Sequence, residues 1–316
     1  MTRLRRSVLS VPASSNRMIG KAIDLPADEV MLDLEDSVAL EEKEEARLHV
    51  IEALNNLDWG SRVRAYRING LDTPFGYRDV IDIIEQAGKG IDVIILPKVE
   101  KAAEVQFVDM LLRQIELRLG LTKKIGLEAS IETAMGMLNV KEIAFASSRL
   151  ESLVFGIADY GASLTMPSSG ISGHGDGEED YPGHRWHFPL SRLVMAAKAA
   201  GLAAIDAPYG DFKDQAGLEA SCRLSVSLGY DGKWAIHPAQ LKIINESFTP
   251  NAEDISRAWR IMEAYDRARA SGAGVTALDG KMVDAASVRS ARITYLKAKR
   301  LGLLTQVQAE LELSEE

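Results

Sequence analysis

Five short segments of the 316-residue chain place charged side chains at the ends of apolar runs. EVMLDLEDS carries Asp33, Glu35 and Asp36, YRING carries Arg67, and LPKVE carries Lys98. ASIETAMG carries Glu132 and FGIADYGAS carries Asp159. Acids and bases gathered at one rim can move protons, hold an oxyanion or bind a metal. Glu132 and Asp159 follow successive apolar runs with few other ligand types near them. That pattern suits a hard ion such as Mg²⁺, which takes one or two protein carboxylates and leaves its other positions to water and substrate. The bland alternative is a set of ion pairs in which the basic residues of the rim neutralise both acids. Lys98 has two readings as well, an ion pair inside the mouth or the amine of a lysine aldolase. Asp33, Glu35 and Asp36 can cap their own loop and pair with Arg67.

Other chemistry-bearing residues say less. His49 lies in a helical pattern and reads as structural. His174, His184 and His187 sit in one polar stretch at spacings that match no metal motif. His237, in KWAIHP, directly follows the last apolar run, so its ring or its backbone lies near the rim. Cys222, the single cysteine, sits in a helical pattern and reads as a small core residue.

These residues need elements to position them. The strand candidates are Ser7–Val11, Glu29–Asp33, Arg62–Ile68, Val93–Pro97, Ile125–Ile131, Leu153–Gly156, Ala203–Asp206 and Lys233–Ile236. Their runs are continuously apolar, as in strands buried on both faces. Helical patterns lie between them. Ala102–Leu119 has apolar residues at spacings of three and four with Gly120 as its C-cap, and Leu190–Ala200 repeats the pattern ahead of Gly201. Eight strands with intervening helices predict an α/β fold, a TIM (β/α)8 barrel, with a doubly wound open sheet as runner-up. In such barrels chemistry sits at the C-terminal strand ends, where the charges above fall.

Two segments stand outside the repeat. The polar stretch Pro167–Pro189 is too long for an ordinary connection and reads as a functional loop or lid. Beyond the barrel (residues 1–250), residues 251–316 form a C-terminal helical extension. It holds helical patterns at Ala252–Arg269 and Ala285–Leu301, joined by SGAGVTALDGKMVD, and a frayed acidic end. The extension is an arm that can pack on another subunit.

Composition narrows the class. With 46% hydrophobic residues the chain is not disordered, and one cysteine excludes a disulfide scaffold or a Cys/His zinc cluster. A net charge of −9 and four scattered tryptophans argue against nucleic-acid binding. No run approaches 18 apolar residues, so no membrane span is expected. The first residues lack a long apolar stretch and a cleavage site, which predicts a cytoplasmic protein.

The segments SVPASSNR, ADEVMLDLEDSVALEEKEEAR, YRINGLDTPFGYRDV, DVIILPKVE, IETAMG, FGIADYGAS, APYGDF, GKWAIHPAQ, ESFTP and DGKMVDAAS run in order along nearly the whole chain. In these the chain resembles the HpcH/HpaI aldolase family, in its citrate lyase β-subunit-like branch. Within that branch it is most similar to the malyl-CoA/β-methylmalyl-CoA lyases. The resemblance implies a homo-trimer or homo-hexamer and Mg²⁺ (or Mn²⁺) held by Glu132 and Asp159. It implies that Arg67 contacts a small oxo-acid and that Ser10, Val11 and Lys21 bind the CoA moiety. Ala158 and the Ile236–His237 backbone would line the substrate. Asp284 matches an acid/base carboxylate that the extension delivers to a neighbouring subunit. On the residues alone, Asp284 is an ordinary surface acid.

There are departures from the family pattern. Pro12-Ala13-Ser14 stands for the usual Pro-Gly-Ser, and Ser15 replaces a basic residue, with Arg17 close by. The implied reaction is a reversible Claisen-type cleavage of malyl-CoA, β-methylmalyl-CoA or citramalyl-CoA. Its products are glyoxylate or pyruvate and acetyl-CoA or propionyl-CoA. Three rivals are a malyl-CoA thioesterase, the citryl-ACP lyase subunit of a citrate lyase complex, and a silent binding or assembly protein. The joint presence of Arg67, Glu132, Asp159 and Asp284 argues against the last.

Overall fold

The structure, a computed structural model, describes residues 3–166 and 185–304. Two compact units divide the chain, Met1–Phe248 and Thr249–Glu316.

In the first unit eight parallel strands close into a barrel in sequence order. They are β1 (Ser7–Pro12), β2 (Glu29–Asp33), β3 (Val63–Arg67), β4 (Val93–Leu96), β5 (Gly126–Ile131), β6 (Leu150–Phe155), β7 (Ala203–Asp206) and β8 (Gly232–Ala235). Closure excludes the open sheet. The helices of this unit are α1 (Asn16–Ala22), α2 (Lys43–Asn56), α3 (Gly76–Ala87), α4 (Ala102–Leu119), α5 (Ala134–Leu138), α6 (Val140–Ala144), α7 (Ile157–Ser163), α8 (His187–Ala199), α9 (Gln215–Leu228) and α10 (Leu241–Ser247). Gly120 ends α4 in the left-handed conformation, φ 62°, that a C-cap glycine supplies.

The strands are apolar on both faces because both faces are buried. Val8, Met31, Val93, Ile95, Val154, Ile205 and Trp234 fill the barrel interior. The alternate residues Leu9, Val30, Leu32, Ile94 and Leu96 pack outward against Val50, Ile83, Ile84, Val108 and Leu112 of the helices. At the N-terminal end the interior turns ionic. Arg5 Nε lies 2.9 Å from Glu29 Oε2 and contacts Glu128, and its Nη2 lies 2.6 Å from Glu151. Conserving this cluster as a unit matters, because removing one partner would leave a buried charge uncompensated.

Two sequence-based boundaries are corrected. The polar stretch read as Pro167–Pro189 ends earlier, since His187, Phe188 and Pro189 open α8. Proline in a first helical turn loses no hydrogen bond that the helix would have made. His174, His184 and the rest of residues 167–184 lie outside the described residues, as does the acidic end from residue 305. In the second unit, SGAGVTALDGKMVD is not a plain connection. It holds the antiparallel strands β9 (Thr276–Leu278) and β10 (Lys281–Val283), between α11 (Ala252–Ala270) and α12 (Ala285–Arg300). Asp279 and Gly280 turn the hairpin with φ of 51° and 72°. Asp-Gly is a frequent pair where both central residues need positive φ. Cys222 is buried in α9. Among the described residues no helix is long and apolar enough to cross a membrane.

Barrel closure depends on a close approach of backbones. A Cβ on Gly232 would stand 1.6 Å from the Arg5 carbonyl oxygen, beside the Lys233 N–H that donates to the Arg6 carbonyl at 3.0 Å. Gly232→Ala should therefore lower the unfolding free energy by about 3 kcal/mol, read by urea denaturation. A loss below about 0.5 kcal/mol would mean that β1 and β8 can separate without cost.

Candidate active site

The backbone ladder continues past the strands at the C-terminal end. Leu34 N–H donates to the Arg67 carbonyl, Ile68 to Ile95, Val99 to Ser130 and Gly156 to Ile131. These bonds fix the residues that carry charge. Asp33 ends β2, Arg67 ends β3, Lys98 follows β4, Glu132 follows β5 and Asp159 lies in the first turn of α7 after β6. The rim inferred from the sequence is thus one physical mouth.

Arg67 is 7% exposed. Its Nε and Nη2 donate to the two oxygens of Asp33 at 2.7 and 2.8 Å. Nη1 lies 2.7 Å from Glu35 Oε2, off the hydrogen-bonding direction. The guanidinium packs 5.5 Å over the Trp234 ring of β8. Burial pulls the Arg67 pKa down, but Asp33 and then Glu35 more than reverse this, so the group stays charged. A guanidinium has five N–H donors, so donors on Nη1 and Nη2 remain for an incoming oxygen. Burial likewise pushes the Asp33 carboxyl up, and Arg67 outweighs it to hold Asp33 below its usual range.

Glu132 is 2% exposed. Its Oε1 accepts the Lys98 backbone N–H at 2.7 Å. Its other oxygen packs on Gly156, where a Cβ would come within 2.2 Å. Burial pushes the Glu132 carboxyl up to about 7, with Arg67 opposing and the charges of Glu35 and Asp159 adding to the rise. Glu35, also buried, is raised for the same first reason, against Arg67 and Lys98.

The Lys98 ammonium sits 2.6 Å from Glu35 and 3.2 Å from Asp36. It is 4.0 Å from Asp159. Burial pulls its pKa down, yet Glu35, Asp36 and Asp159 together lift it above the ordinary lysine value. A Schiff-base lysine needs the neutral amine, so three carboxylates around the ammonium favour the ion-pair reading of Lys98.

The donor set fits a divalent ion. Asp33, Glu35, Asp36, Glu132 and Asp159 face Arg67, Lys98 and Lys43, five carboxylates against three cations. Carboxyl groups thus outnumber cations in the mouth, a surplus that a bound cation would offset. No closed cage of three or more His, Cys, Asp or Glu occurs among the described residues. Two ligands with open positions is the pattern of a catalytic Mg²⁺ site.

The other predicted positions lie on several elements of the two units. Ser10 and Val11 lie in β1, and the Val11 side chain is buried outward, so only its backbone can serve a ligand. Lys21 is exposed in the last turn of α1, and Ala158 is exposed beside Asp159. The N–H groups of Ile236 and His237 both donate to Gln240 Oε1, at 2.9 and 3.3 Å. What faces outward there is the exposed Ile236 side chain and the His237 ring, stacked 4.6 Å from Phe212. Asp284 belongs to the second unit, where it caps α12 with Oδ1 accepting Ser287 N–H at 2.9 Å. That N–H holds the Asp284 carboxyl below its usual range.

Sequence reasoning passed over three residues. Lys43 is buried and donates to the Leu34 and Glu35 carbonyls at 2.7 and 2.6 Å, clamping the acidic loop. Gly156 makes room for Glu132, and Trp234 lies beneath Arg67.

The barrel and its acidic mouth define a TIM-barrel protein built for oxyanion and divalent-metal chemistry. The model of the HpcH/HpaI aldolase/citrate lyase family matches residues 6–238, and the chain belongs to that family. L-malyl-CoA/β-methylmalyl-CoA lyase of Cereibacter sphaeroides is 43% identical over 309 residues, covering 95% of this chain and 96% of that protein. The (3S)-malyl-CoA thioesterase of the same species is 40% identical over 300 residues, covering 94% and 95%. CitE from Mycobacterium tuberculosis, solved in complex with magnesium, acetoacetate and coenzyme A, matches with a TM-score of 0.72 at 28% identity. That match covers 94% of this chain and 98% of the other.

The raised Glu132 carboxyl has a consequence for stability. Its folded value of about 7 lies above the ordinary 4.5. As pH rises between those values the unfolded chain ionises first, so the metal-free fold loses stability across that window. The full loss, above pH about 7, is of the order of 3 kcal/mol. With a chelator present at pH 8, Glu132→Gln should melt above the wild type, with the gap shrinking towards pH about 5. Equal melting curves at both pH values would contradict a buried, disfavoured carboxylate.

Proposed function

We propose that this protein is a Mg²⁺-dependent carbon–carbon lyase acting on CoA thioesters. It cleaves a 3-hydroxyacyl-CoA of the malyl-CoA type to an oxo-acid and an acyl-CoA, reversibly. The observation that carries this reading is Glu132, sequestered beside Asp159 and facing a fixed Arg67. The 43% identity to the malyl-CoA/β-methylmalyl-CoA lyase over 95% of the chain supports it.

Glu132 and Asp159 would hold the ion. Bound there, Mg²⁺ supplies Lewis acidity towards the oxygens of the oxo-acid portion. The protein's own residues do the rest. Arg67, locked by Asp33 and stacked on Trp234, points its remaining donors at the oxygen that gains charge. Because the guanidinium is already fixed, little reorganisation is needed as that charge develops. Asp284, held ionised by Ser287, serves as base in the condensing direction. It takes a proton from the α-carbon of the acyl-CoA, whose electron pair then forms the bond to the oxo-acid carbonyl carbon. The carbonyl oxygen gains the displaced π pair and takes a proton from solvent to become the hydroxyl. In cleavage the hydroxyl gives that proton back to solvent as the C–C bond breaks, and the Asp284 carboxyl, protonated for this direction, returns its proton to the α-carbon. Lys21 and the Ser10–Val11 backbone would take the CoA portion, with Ala158 and Ile236–His237 beside the acyl group.

The test is an assay of the purified chain over malyl-CoA, β-methylmalyl-CoA and citramalyl-CoA, with and without Mg²⁺. Mg²⁺-dependent release of glyoxylate or pyruvate together with an acyl-CoA is expected. Free malate plus CoA would instead assign the thioesterase reaction named for the 40% identical relative. These esters differ by a methyl group, which a pocket distinguishes by about 1–3 kcal/mol, so rates should differ by about 10- to 200-fold.

Asp284 is proposed to act in a neighbouring copy of the chain, within a homo-trimer or homo-hexamer. Asp284→Asn and Glu132→Gln should each be inactive alone. Mixed oligomers of the two should recover part of the activity, because some sites regain both carboxyl groups. No recovery after demonstrated subunit exchange would remove the shared site.

A further inference from the structure

A catalytic ion with open positions requires that surplus carboxylates be kept away from it. Glu35 and Asp36 sit in the same mouth as Glu132 and Asp159, and the reaction above uses neither. Both carboxylates are potential ligands for a hard cation. Four protein carboxylates on one ion would leave little room for water or substrate.

One side chain engages both. Lys98 Nζ lies 2.6 Å from Glu35 Oε1 and 3.2 Å from each Asp36 oxygen. Its backbone N–H holds Glu132 from the other side at 2.7 Å. The backbone there is left-handed, with φ 48°. Among the described residues only Thr165 and Asp279 share that feature without being glycine. This conformation is disfavoured for a residue with a Cβ. Glycine would adopt it freely and still offer the N–H to Glu132. The side chain, not the N–H, is thus what a lysine adds at this position.

We propose that Lys98 is a positioning residue that occupies Glu35 and Asp36, so that Glu132 and Asp159 alone ligate the divalent ion and its other positions stay open to the oxo-acid. The proposal rests on the metal reading of the preceding subsection. Lys98 acts through its neighbours and touches no reacting atom.

The experiment measures Mn²⁺ binding to the metal-free full chain by calorimetry, then glyoxylate binding to the Mn²⁺-loaded protein. Lys98→Met should bind Mn²⁺ about tenfold more tightly, because Asp36 and Oε1 of Glu35 are released while Arg67 still holds Glu35 Oε2, and one positive charge near Asp159 is lost. Glyoxylate should then bind about tenfold more weakly, because its positions are taken. Lys98→Arg keeps the ion pairs and should stay near the wild type in both. Adding Asp36→Asn to Lys98→Met should restore part of the glyoxylate affinity. Lys98→Gly, which suits the backbone, gives the same readouts if Lys98→Met does not fold. Unchanged or weaker Mn²⁺ binding in a folded variant overturns the proposal. So does tighter Mn²⁺ with unaltered glyoxylate binding, which would mark a through-space charge effect alone. Wild-type Mn²⁺ binding that Glu132→Gln leaves intact is a different result, and it overturns the metal assignment itself.

Discussion

Glu132 is a carboxylate shut away from water, and its surroundings are arranged around that fact. Burial alone favours its protonated form. A fixed amide at Lys98 and the Arg67 guanidinium work the other way, and Gly156 gives up a side chain to admit it. Arg67 could not sit there unsupported. Asp33 takes two of its donors and Trp234 underlies its plane, so the cation is fixed before any ligand arrives. Lys43 in turn ties down the loop that carries Glu35. Each charge in the mouth is held by a residue from a different strand or its following loop. The register of the closed barrel is therefore what sets the site's geometry.

The two ends of the barrel use charge for different purposes. At the N-terminal end Arg5 is enclosed by Glu29, Glu128 and Glu151, and Glu29 and Glu128 have no exposure at all. Arg5, Glu29 and Glu128 are shut off from solvent, and the cluster ties the segment before β1 to β2, β5 and β6. At the C-terminal end Asp159 and Lys98 keep 41% and 35% of their side-chain surface. Charge that is sealed holds the barrel, and charge that is partly wet is available for chemistry. This division follows the general asymmetry of such barrels.

The sequence made the barrel readable because strands buried on both faces leave uninterrupted apolar runs, as in VIIL of β4 and EVMLD of β2. The charged strand ends were readable because Arg67 and Glu132 interrupt those runs. Other parts were hidden for physical reasons. Lys43 stands in the acidic run EEKEE, which looks like a solvated helix face, and only the fold turns its ammonium inward. Gly156 looks like an ordinary strand terminus until its distance from Glu132 is known. Pro189 reads as a loop residue, yet it sits in the first turn of α8, where proline is tolerated. The hairpin of β9 and β10 was signalled by Asp279-Gly280, but its strands are only three residues each. The roles of Lys98 and Asp33 depend on contacts across 62 and 34 residues, which no local pattern encodes.

Asp284 sits on the single residue between β10 and α12, with Val283 paired in the hairpin and Ala285 already helical. Ser287 ties its carboxylate to the first turn through both N–H and hydroxyl. A carboxylate on a loose tail would surrender much conformational freedom each time a substrate arrived, at about 1–2 kcal/mol for every backbone residue ordered. Here that freedom has already been lost when the extension folds. The Asp284 carboxylate is thus a rigid part of its own unit, fixed by the fold of the extension.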